Sequence, residues 1–324
     1  MRTLVVTEYG PPESLRLVEV PSPEPGPGQV VIQVRACGVN FPDALLIEGK
    51  YQMKPAFPFA PGCEVAGVVS RLGAGVGGVK EGDRVAAVIG YGGFAEEVVA
   101  EATAATQLPP NVDDEVGAAV LLAHGTALHA LADRGALAPG ETLLVLGAAG
   151  GVGLAAVEVG KALGARVIAA ASSEEKLAAC RAHGADETID YSREDLRERI
   201  KALTTGRGVD VAYDPVGGGW AEVAVRSLSW RGRYLVIGFT SGEIPRIPLN
   251  LPLLKGASIV GVFWGDFTRR EPERNRADVA RLMQWLEAGT IRPRIAATYP
   301  LERGGEAIRA MIDRRVIGKV VVTP

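Results

Sequence analysis

Short apolar runs rich in β-branched residues dominate the chain up to about position 121. Gly and Pro clusters separate these runs, and the stretch 21–28 holds too many prolines to lie inside a helix or a central strand. Such spacing is typical of short strands. The pattern predicts a small β-barrel or sandwich with strands at 1–8, 15–20, 29–36, 63–72, 84–89 and 95–100.

The pattern changes near Asn111, where helical and strand periods begin to alternate. Regular alternation implies an α/β fold with a mainly parallel, doubly wound sheet and helices on both faces. The predicted helices are 113–123, 125–134, 152–163, 174–183, 193–203 and 220–227. The predicted strands are 142–147, 167–171, 187–190, 209–214, 232–238 and 258–262.

The last part of the chain is β-rich again. An amphipathic helix at 274–287 precedes two strands, 295–299 and 319–322, which flank a helix at 305–314. We therefore expect the chain to return to its first domain. On this interpretation residues 1–121 and 266–324 form one domain, and residues 122–265 form an inserted nucleotide-binding domain.

A glycine-rich turn, GAAGGVG at 147–153, joins a predicted strand to a predicted helix. Glycines allow a sharp turn and a close approach to pyrophosphate, and the helix N-terminus attracts the anion. We predict that Gly150, Gly151, Val152 and Gly153 bind a dinucleotide. The same spacing fits short-chain dehydrogenases, but about 140 residues precede this motif and no tyrosine is followed by lysine four positions later. The simpler alternative is a turn that only needs glycine.

Composition excludes several classes of protein. The 324 residues, 47% of them hydrophobic and 23% charged, describe an ordinary globular protein. A net charge of −3 gives no support for nucleic-acid binding, and no uninterrupted apolar run of membrane-spanning length occurs. Three scattered cysteines and the lack of a secretion signal favour a reducing, cytoplasmic location.

Five motifs in this order resemble the zinc-independent quinone oxidoreductases of the medium-chain dehydrogenase/reductase superfamily. They are GVNFPD at 38–43, PGCEVAG at 61–67, GTALHAL at 125–131, the glycine turn, and GVFWG at 261–265. The resemblance implies a GroES-like β-barrel domain and a Rossmann domain, with the active site between them. It also implies a homodimer. The apolar stretch 258–263 near the sheet edge is the expected contact.

The resemblance also argues against a metal. Zinc-dependent relatives carry Cys and His where this chain has Asn40 and Cys63, so that only Glu64 matches a ligand position. A catalytic zinc ion needs about three protein ligands. A pair of buried cysteines, Cys37 and Cys63, is the weaker alternative, because free buried Cys usually packs as a small hydrophobe. We expect no metal site.

The second predicted strand indicates which nicotinamide cofactor binds. NAD-preferring sites place Asp or Glu at the end of this strand, where the chain has Ala171 followed by Ser172, Ser173 and, nearby, Lys176. Serine at these positions can also be a helix cap. The resemblance assigns Lys176, Tyr191 and Arg314 to a 2′-phosphate. Together these residues predict NADPH.

The resemblance assigns roles around the reacting groups. Asn40 would polarise the acceptor carbonyl through its side-chain N–H, and Tyr51 would donate to the quinone oxygen; the alternatives are a satisfied loop Asn and an exposed aromatic residue. Leu45 stands where bacterial members often have a second tyrosine. Thr126, at a predicted helix start, would pack beside the nicotinamide. Further expected cofactor contacts are Ile237, Gly238, Phe239, Phe263 and Trp264.

The sequence thus predicts hydride transfer from NADPH to a planar quinone, with the cofactor carrying the chemistry. Two alternatives stay open at this point. One is reduction of a 2-alkenal, enone or enoyl thioester, which presents nearly the same conjugated carbonyl. The other is a non-catalytic NADPH-binding protein with a structural or RNA-associated role. The net charge of −3 and the candidate catalytic residues in the cleft argue against it.

Overall fold

The computed structural model describes all residues from Met1 to Pro324. The strands are β1 (Arg2–Val5), β2 (Arg16–Glu19), β3 (Gln29–Val39), β4 (Glu64–Leu72), β5 (Arg84–Val88), β6 (Glu97–Glu101), β7 (Ala105–Gln107), β8 (Thr142–Val145), β9 (Arg166–Ala171), β10 (Glu187–Asp190), β11 (Val209–Asp214), β12 (Leu228–Val236), β13 (Ser258–Gly261), β14 (Ile295–Pro300) and β15 (Lys319–Thr323). The α-helices are α1 (Phe41–Ile47), α2 (Asp114–Leu128), α3 (Gly151–Ala162), α4 (Glu174–Ala182), α5 (Leu196–Leu203), α6 (Gly219–Arg226), α7 (Asn250–Lys255), α8 (Trp264–Arg270), α9 (Pro272–Glu287) and α10 (Gly304–Ile312).

The chain divides into two compact units. The first combines Met1–Leu122 with Pro293–Pro324, and the second is Ala123–Arg292. The sequence pattern had assigned residues 266–292 to the first unit, whereas the structure assigns them to the second. Side-chain contacts explain the difference, because the Phe267 ring stacks on His129 with centroids 4.0 Å apart. An amphipathic pattern such as that of α9 does not reveal which partner covers its apolar face.

The first unit is built on a seven-stranded sheet in the order β14-β15-β3-β4-β5-β7, with β6 also paired to β3. The long strand β3 has buried apolar side chains along most of its length. Helix α10 packs against this core through buried Ala307 and Ile308. Strand β15, from the end of the chain, pairs antiparallel with β3 and parallel with β14. The seven-stranded sheet therefore combines strands from residues 29–107 with strands from residues 295–323, while β1 and β2 form a separate two-stranded sheet.

The second unit has a six-stranded parallel sheet in the order β10-β9-β8-β11-β12-β13. Strand order reverses between β8 and β11, which creates the crevice where open α/β sheets bind ligands. Strands β8 and β11 are buried along their whole length, as expected for central parallel strands. The predicted α/β fold class is confirmed.

A buried carboxylate ties three elements of the second unit together. Glu158 on α3 accepts hydrogen bonds from His124 Nε2 at 2.9 Å, His183 Nδ1 at 2.8 Å and the Arg292 backbone N–H at 2.9 Å. Burial alone would raise the pKa of Glu158, but the hydrogen bonds from the two histidines outweigh it and lower the pKa to about 2. His124 is buried and bonded to Glu158, so that it serves the packing of the second unit.

The helical stretch after Asn111 differs from the prediction. Two helices meeting near residue 124 were expected, but α2 is continuous and runs into a π-helical turn at His129–Arg134. Gly125 lies inside α2, and the packing requires glycine there because an added Cβ would come within 2.8 Å of the Trp264 indole. The stretch Asp114–Arg134 is apolar and long enough to cross a membrane, but 72% of its apolar window is buried, as in a core helix.

Candidate functional site

The glycine turn connects β8 to α3 and presents the N-terminus of α3. Gly147 has φ of +55°, which favours glycine, and Gly150 is the N-cap of the helix. Gly153 cannot carry a side chain, because its Cβ would lie 2.4 Å from the Gly147 carbonyl oxygen. Two of the three glycines are therefore required by the fold of the turn itself.

Gly150 is different from the other two. It is exposed, its φ of −75° suits any residue, and the nearest atom to an added Cβ is Gly147 O at 3.5 Å. Nothing within the protein requires glycine here. A ligand that approaches the backbone would require it, since a Cβ would keep an anion away from the N–H groups of the first helical turn. The predicted cofactor residues Gly151 and Val152 form that turn.

A second turn reaches the same end of the sheet from β11. Asp214 accepts hydrogen bonds from the Val216 and Gly217 backbone N–H groups at 2.7 and 2.9 Å, and from Tyr234 Oη at 2.5 Å. The Asp214 carbonyl oxygen accepts from Ile237 N–H at 3.0 Å. The carboxylate thus fixes the turn after β11, and its carbonyl positions the loop after β12. Sequence reasoning missed Asp214, although an acidic residue at the end of an otherwise apolar strand is a usable signal.

The end of β9 carries hydroxyls and an ammonium group. Ala171 is buried, and Lys176 Nζ donates to Ser172 Oγ at 3.2 Å. The Ser173 hydroxyl caps α4 by accepting from the Lys176 backbone N–H at 3.4 Å. The nearby carboxylate of Glu174 pairs with Arg181 further along the helix. No carboxylate therefore accompanies Ser172 and Lys176 at the place where an NAD site has one.

Residues after β10 lie beside this group. The Tyr191 backbone N–H donates to Ala171 O at 3.1 Å, and its ring centroid lies 4.9 Å from that of Trp220. Ser192 Oγ donates to Ser172 O at 3.3 Å. Arg193, which was predicted to start a helix, lies in this loop with 82% of its side chain exposed and its nearest carboxylate 3.9 Å away. It is a second cation at this end of the sheet that sequence reasoning did not identify.

Four other predicted cofactor residues differ in their position in the second unit and in their exposure. Thr126 lies inside α2 rather than at a helix start. Phe239 is half-buried and contacts the turn after β11, since a Cβ on Gly217 would meet its ring at 2.9 Å. Phe263 is 56% exposed, whereas the Trp264 indole is buried against Gly125.

Arg314 belongs to the first unit. It follows α10 in left-handed backbone, with φ of +56°. Its assignment to the 2′-phosphate stays a prediction.

In the first unit, Asn40 belongs to a closed buried network. Its Nδ2 donates to Gly38 O at 3.1 Å and to Glu64 Oε2 at 3.0 Å, while its Oδ1 accepts from Lys319 Nζ at 2.5 Å. Lys319 also pairs with Glu64 at 3.2 Å, and Leu122 N–H donates to the other Glu64 oxygen at 2.9 Å. Both amide hydrogens of Asn40 are thus in use. The role predicted for Asn40, donation to the substrate carbonyl, requires one of these bonds to be broken.

Asp43 supports the same loop. Its carboxylate accepts from the Asn40 N–H at 2.7 Å and the Gly62 N–H at 3.0 Å. Burial raises the pKa of Asp43 to about 6, against these two hydrogen bonds. Tyr51 is half-buried, and burial together with the nearby Cys63 and Asp43 raises the pKa of its hydroxyl. A neutral phenol is a hydrogen-bond donor.

The donors near Asn40 do not fit a zinc ion. Lys319 brings an ammonium group to Asn40 and Glu64, and no group of three or more His, Cys, Asp or Glu side chains is arranged to hold a metal. Burial raises the pKa of the Cys37 and Cys63 thiols well above the usual range, so that neither is readily available as a thiolate. Sequence reasoning missed Lys319, because a lysine opening an apolar strand is usually exposed.

Comparisons with known proteins agree with this architecture. Residues 26–110 match the alcohol dehydrogenase GroES-like domain, and residues 151–288 match the family model described as zinc-binding dehydrogenase. The chain is similar to a quinone oxidoreductase-like protein 2 homolog of Nematostella vectensis, with 40% identity over 92% of this chain and 82% of the relative. It is 38% identical to quinone oxidoreductase-like protein 2 of Rattus norvegicus, over 99% of this chain and 92% of that protein.

Solved structures give the same result. The Escherichia coli quinone oxidoreductase complexed with NADPH superposes with a TM-score of 0.94 and 30% identity, covering 100% of both chains. Similarity of this extent covers the residues of both units. The chain belongs to the quinone oxidoreductases of the medium-chain dehydrogenase/reductase superfamily.

Proposed function

We propose that this protein reduces a quinone with NADPH and without zinc. The observation that carries the cofactor choice is the end of β9, where Lys176 and Ser172 pair and no carboxylate accompanies them. A 2′-phosphate would meet an ammonium and hydroxyl donors there, whereas an NAD site offers a carboxylate to the ribose. The names of the relatives support the quinone as acceptor.

The proposed roles follow from the geometry of each unit. Backbone N–H groups of Gly150, Gly151, Val152 and Gly153 would bind the pyrophosphate of the cofactor. NADPH, when bound, supplies the hydride. The loop after β12, held by Asp214, would contact the nicotinamide end. Arg193 would add a second cation for the 2′-phosphate.

For the acceptor, we propose that the Tyr51 hydroxyl is the hydrogen-bond donor. Its raised pKa keeps it neutral and able to donate. Asn40 would act as a positioning residue, since Glu64, Gly38 and Lys319 hold its amide. Lys319 places a buried ammonium where zinc-dependent relatives need ligands, which supports a zinc-independent reaction.

One experiment addresses acceptor and activity together. NADPH oxidation is measured with benzoquinone, naphthoquinone, an enone and crotonyl thioester. We expect the highest kcat/KM with a quinone. A preference for the enone or thioester would replace the quinone by these acceptors, and no activity on any of them would favour a non-catalytic cofactor-binding protein.

The cofactor assignment is tested by fluorescence titration. NADPH should bind at least tenfold more tightly than NADH, and Lys176→Gln should remove most of this difference while leaving NADH affinity unchanged. Equal affinities in the unmodified protein would refute the assignment. A chelator such as EDTA should leave the rate unchanged if no zinc takes part.

The Tyr51 assignment is tested by Tyr51→Phe, with Tyr91→Phe as a matched control on an exposed tyrosine. We expect kcat to fall about tenfold in the first variant, which is the effect of losing one hydrogen bond worth about 1.4 kcal/mol in the transition state. NADPH affinity should not change. Equal rates in both variants would remove Tyr51 from this role.

We also propose a homodimer formed through β13. This strand ends the six-stranded sheet, and Ile259 on it and Phe263 just after it are exposed large apolar side chains. The other exposed large apolar side chains of the second unit are Trp230 on the neighbouring β12, Ile244, Leu249, and Leu253 and Leu254 of α7, the helix that precedes β13. An open strand edge beside an apolar patch is suited to pairing with a second copy. Analytical ultracentrifugation should give a dimer mass, and Ile259→Lys should shift it toward monomer.

A further inference from the structure

A basic cleft lies in the second unit at the end of the sheet opposite the glycine turn. Strands β11 and β12 begin there, whereas the turn follows the end of β8, which runs parallel to them. The cleft has a volume of about 260 Å³. Its charged lining residues are Arg197, Glu198, Lys201, Arg207, Arg226 and Lys255. Five of these six side chains are cations.

Two of the cations are neutralised by carboxylates. Arg207 pairs with both oxygens of Asp210 at 3.1 Å. Arg226 pairs with Glu222 at 2.6 Å. These two pairs belong to the walls of the cleft and add little net charge to it.

The other three cations are poorly compensated. Lys255 Nζ donates to two carbonyl oxygens, Arg226 O at 2.5 Å and Leu228 O at 2.6 Å, and has no carboxylate partner. Arg197 forms no ion pair, and Lys201 has only Glu198, 3.8 Å away. Burial, and then the neighbouring charge of Arg197, lower the pKa of Lys255. The fold therefore holds the Lys255 ammonium near the Arg197 guanidinium, and neither cation has a carboxylate partner, since Glu198 in the same lining pairs with Lys201.

We propose that this basic cleft binds a small anion carrying two or more phosphate charges. The two carbonyls fix Lys255 Nζ and leave one N–H for a ligand. Arg197 adds a planar fork that suits phosphate oxygens, and Lys201 adds a third charge. A ligand with several negative charges matches this excess better than a monoanion does. The site is separate from the proposed cofactor site and does not depend on it.

The test is calorimetric titration of the full chain with pyrophosphate at low ionic strength. The titration is repeated at saturating NADP⁺, because pyrophosphate can also bind the glycine turn. We expect binding that persists with NADP⁺ and is at least tenfold tighter than that of inorganic monophosphate. The double variant Arg197→Gln/Lys201→Gln should weaken it at least tenfold. The control Arg35→Gln/Lys80→Gln, which removes two exposed charges from the first unit, should change it less than twofold.

Each opposite outcome overturns the proposal. Pyrophosphate binding that disappears at saturating NADP⁺ would belong to the cofactor site alone. If both double variants weakened pyrophosphate binding equally, the effect would come from the net charge of the protein rather than from a site. If monophosphate and pyrophosphate bound with equal affinity, the cleft would not select a ligand with several negative charges. Arg197 and Lys201 are exposed, so an unchanged thermal midpoint should accompany the loss of binding.

Discussion

Replacing Lys319 by Met should destabilise the first unit strongly. Lys319 is 5% exposed and Glu64 is 0% exposed, so that the substitution leaves a buried carboxylate without its cation. Two neutral donors remain on Glu64, from Asn40 and Leu122. Breaking a buried pair by removing one partner costs about 3–5 kcal/mol. For a domain of this size that loss of stability corresponds to a fall of roughly 6–20 °C in the midpoint of thermal unfolding.

The two units can be followed separately in the assay. All four tryptophans lie in Ala123–Arg292, so their fluorescence reports the second unit, whereas far-ultraviolet circular dichroism reports both. Lys319→Met should therefore move the circular dichroism transition to a lower concentration of guanidinium chloride and leave the fluorescence transition unchanged. The control is Lys80→Met, which changes an exposed lysine and should leave the free energy of unfolding of the first unit unchanged.

A second variant separates charge from packing. Glu64→Gln/Lys319→Met removes both charges, and it should recover at least half of the lost stability because the uncompensated carboxylate is gone. If Lys319→Met lowered the free energy of unfolding by less than about 1 kcal/mol, the reasoning would be refuted, because solvent-exposed salt bridges contribute that little. A double variant no more stable than Lys319→Met would show that packing, rather than charge, sets the cost.

Three further changes test other features. Gly150→Ala should leave the thermal midpoint unchanged and weaken NADPH binding at least tenfold, because its Cβ has open space in the protein; unchanged binding would contradict this. Gly153→Ala should lower the midpoint itself, because its Cβ would meet Gly147 O. The lowered pKa of Glu158 means that its contribution to stability is present above pH 4.5 and is lost as pH falls toward about 2. Glu158→Gln should therefore be less stable at pH 6 and show a flatter acid limb in thermal unfolding.

The sequence predicts those elements that depend on a repeating apolar pattern or on residues close together in the chain. Strand β10 and strand β11 were predicted with the bounds that the structure shows, because apolar runs between turn residues are unambiguous there. Short helices were missed. Helix α1 is only seven residues long, and its apolar residues could equally belong to a loop. The hydrogen bond from the Asn40 backbone N–H to the Asp43 carboxylate at its start became evident only from the structure.

The candidate site was predictable to the same degree. The glycine turn and the residues after β9 are contiguous in sequence, so that residue type and spacing locate them. The network of Asn40 joins residues 279 positions apart, and no local pattern indicates that Lys319 would reach it. Only this distant contact shows how Asn40 is held. The sequence alone therefore could not decide whether Asn40 donates a hydrogen bond to the substrate or positions other groups.

The position of Lys319 late in the chain also has a consequence during synthesis. Strand β15 inserts between β14 and β3, and its first residue supplies the cation for Glu64. Until residue 319 has been translated, the emerging first unit has neither this strand nor this charge, whereas the contiguous second unit, which ends at Arg292, is translated before them. Domains generally fold as units in the order of their synthesis. Here the N-terminal segment must wait for β15, so that a nascent chain exposes the unpaired end of β3 until residues 319–323 have been translated.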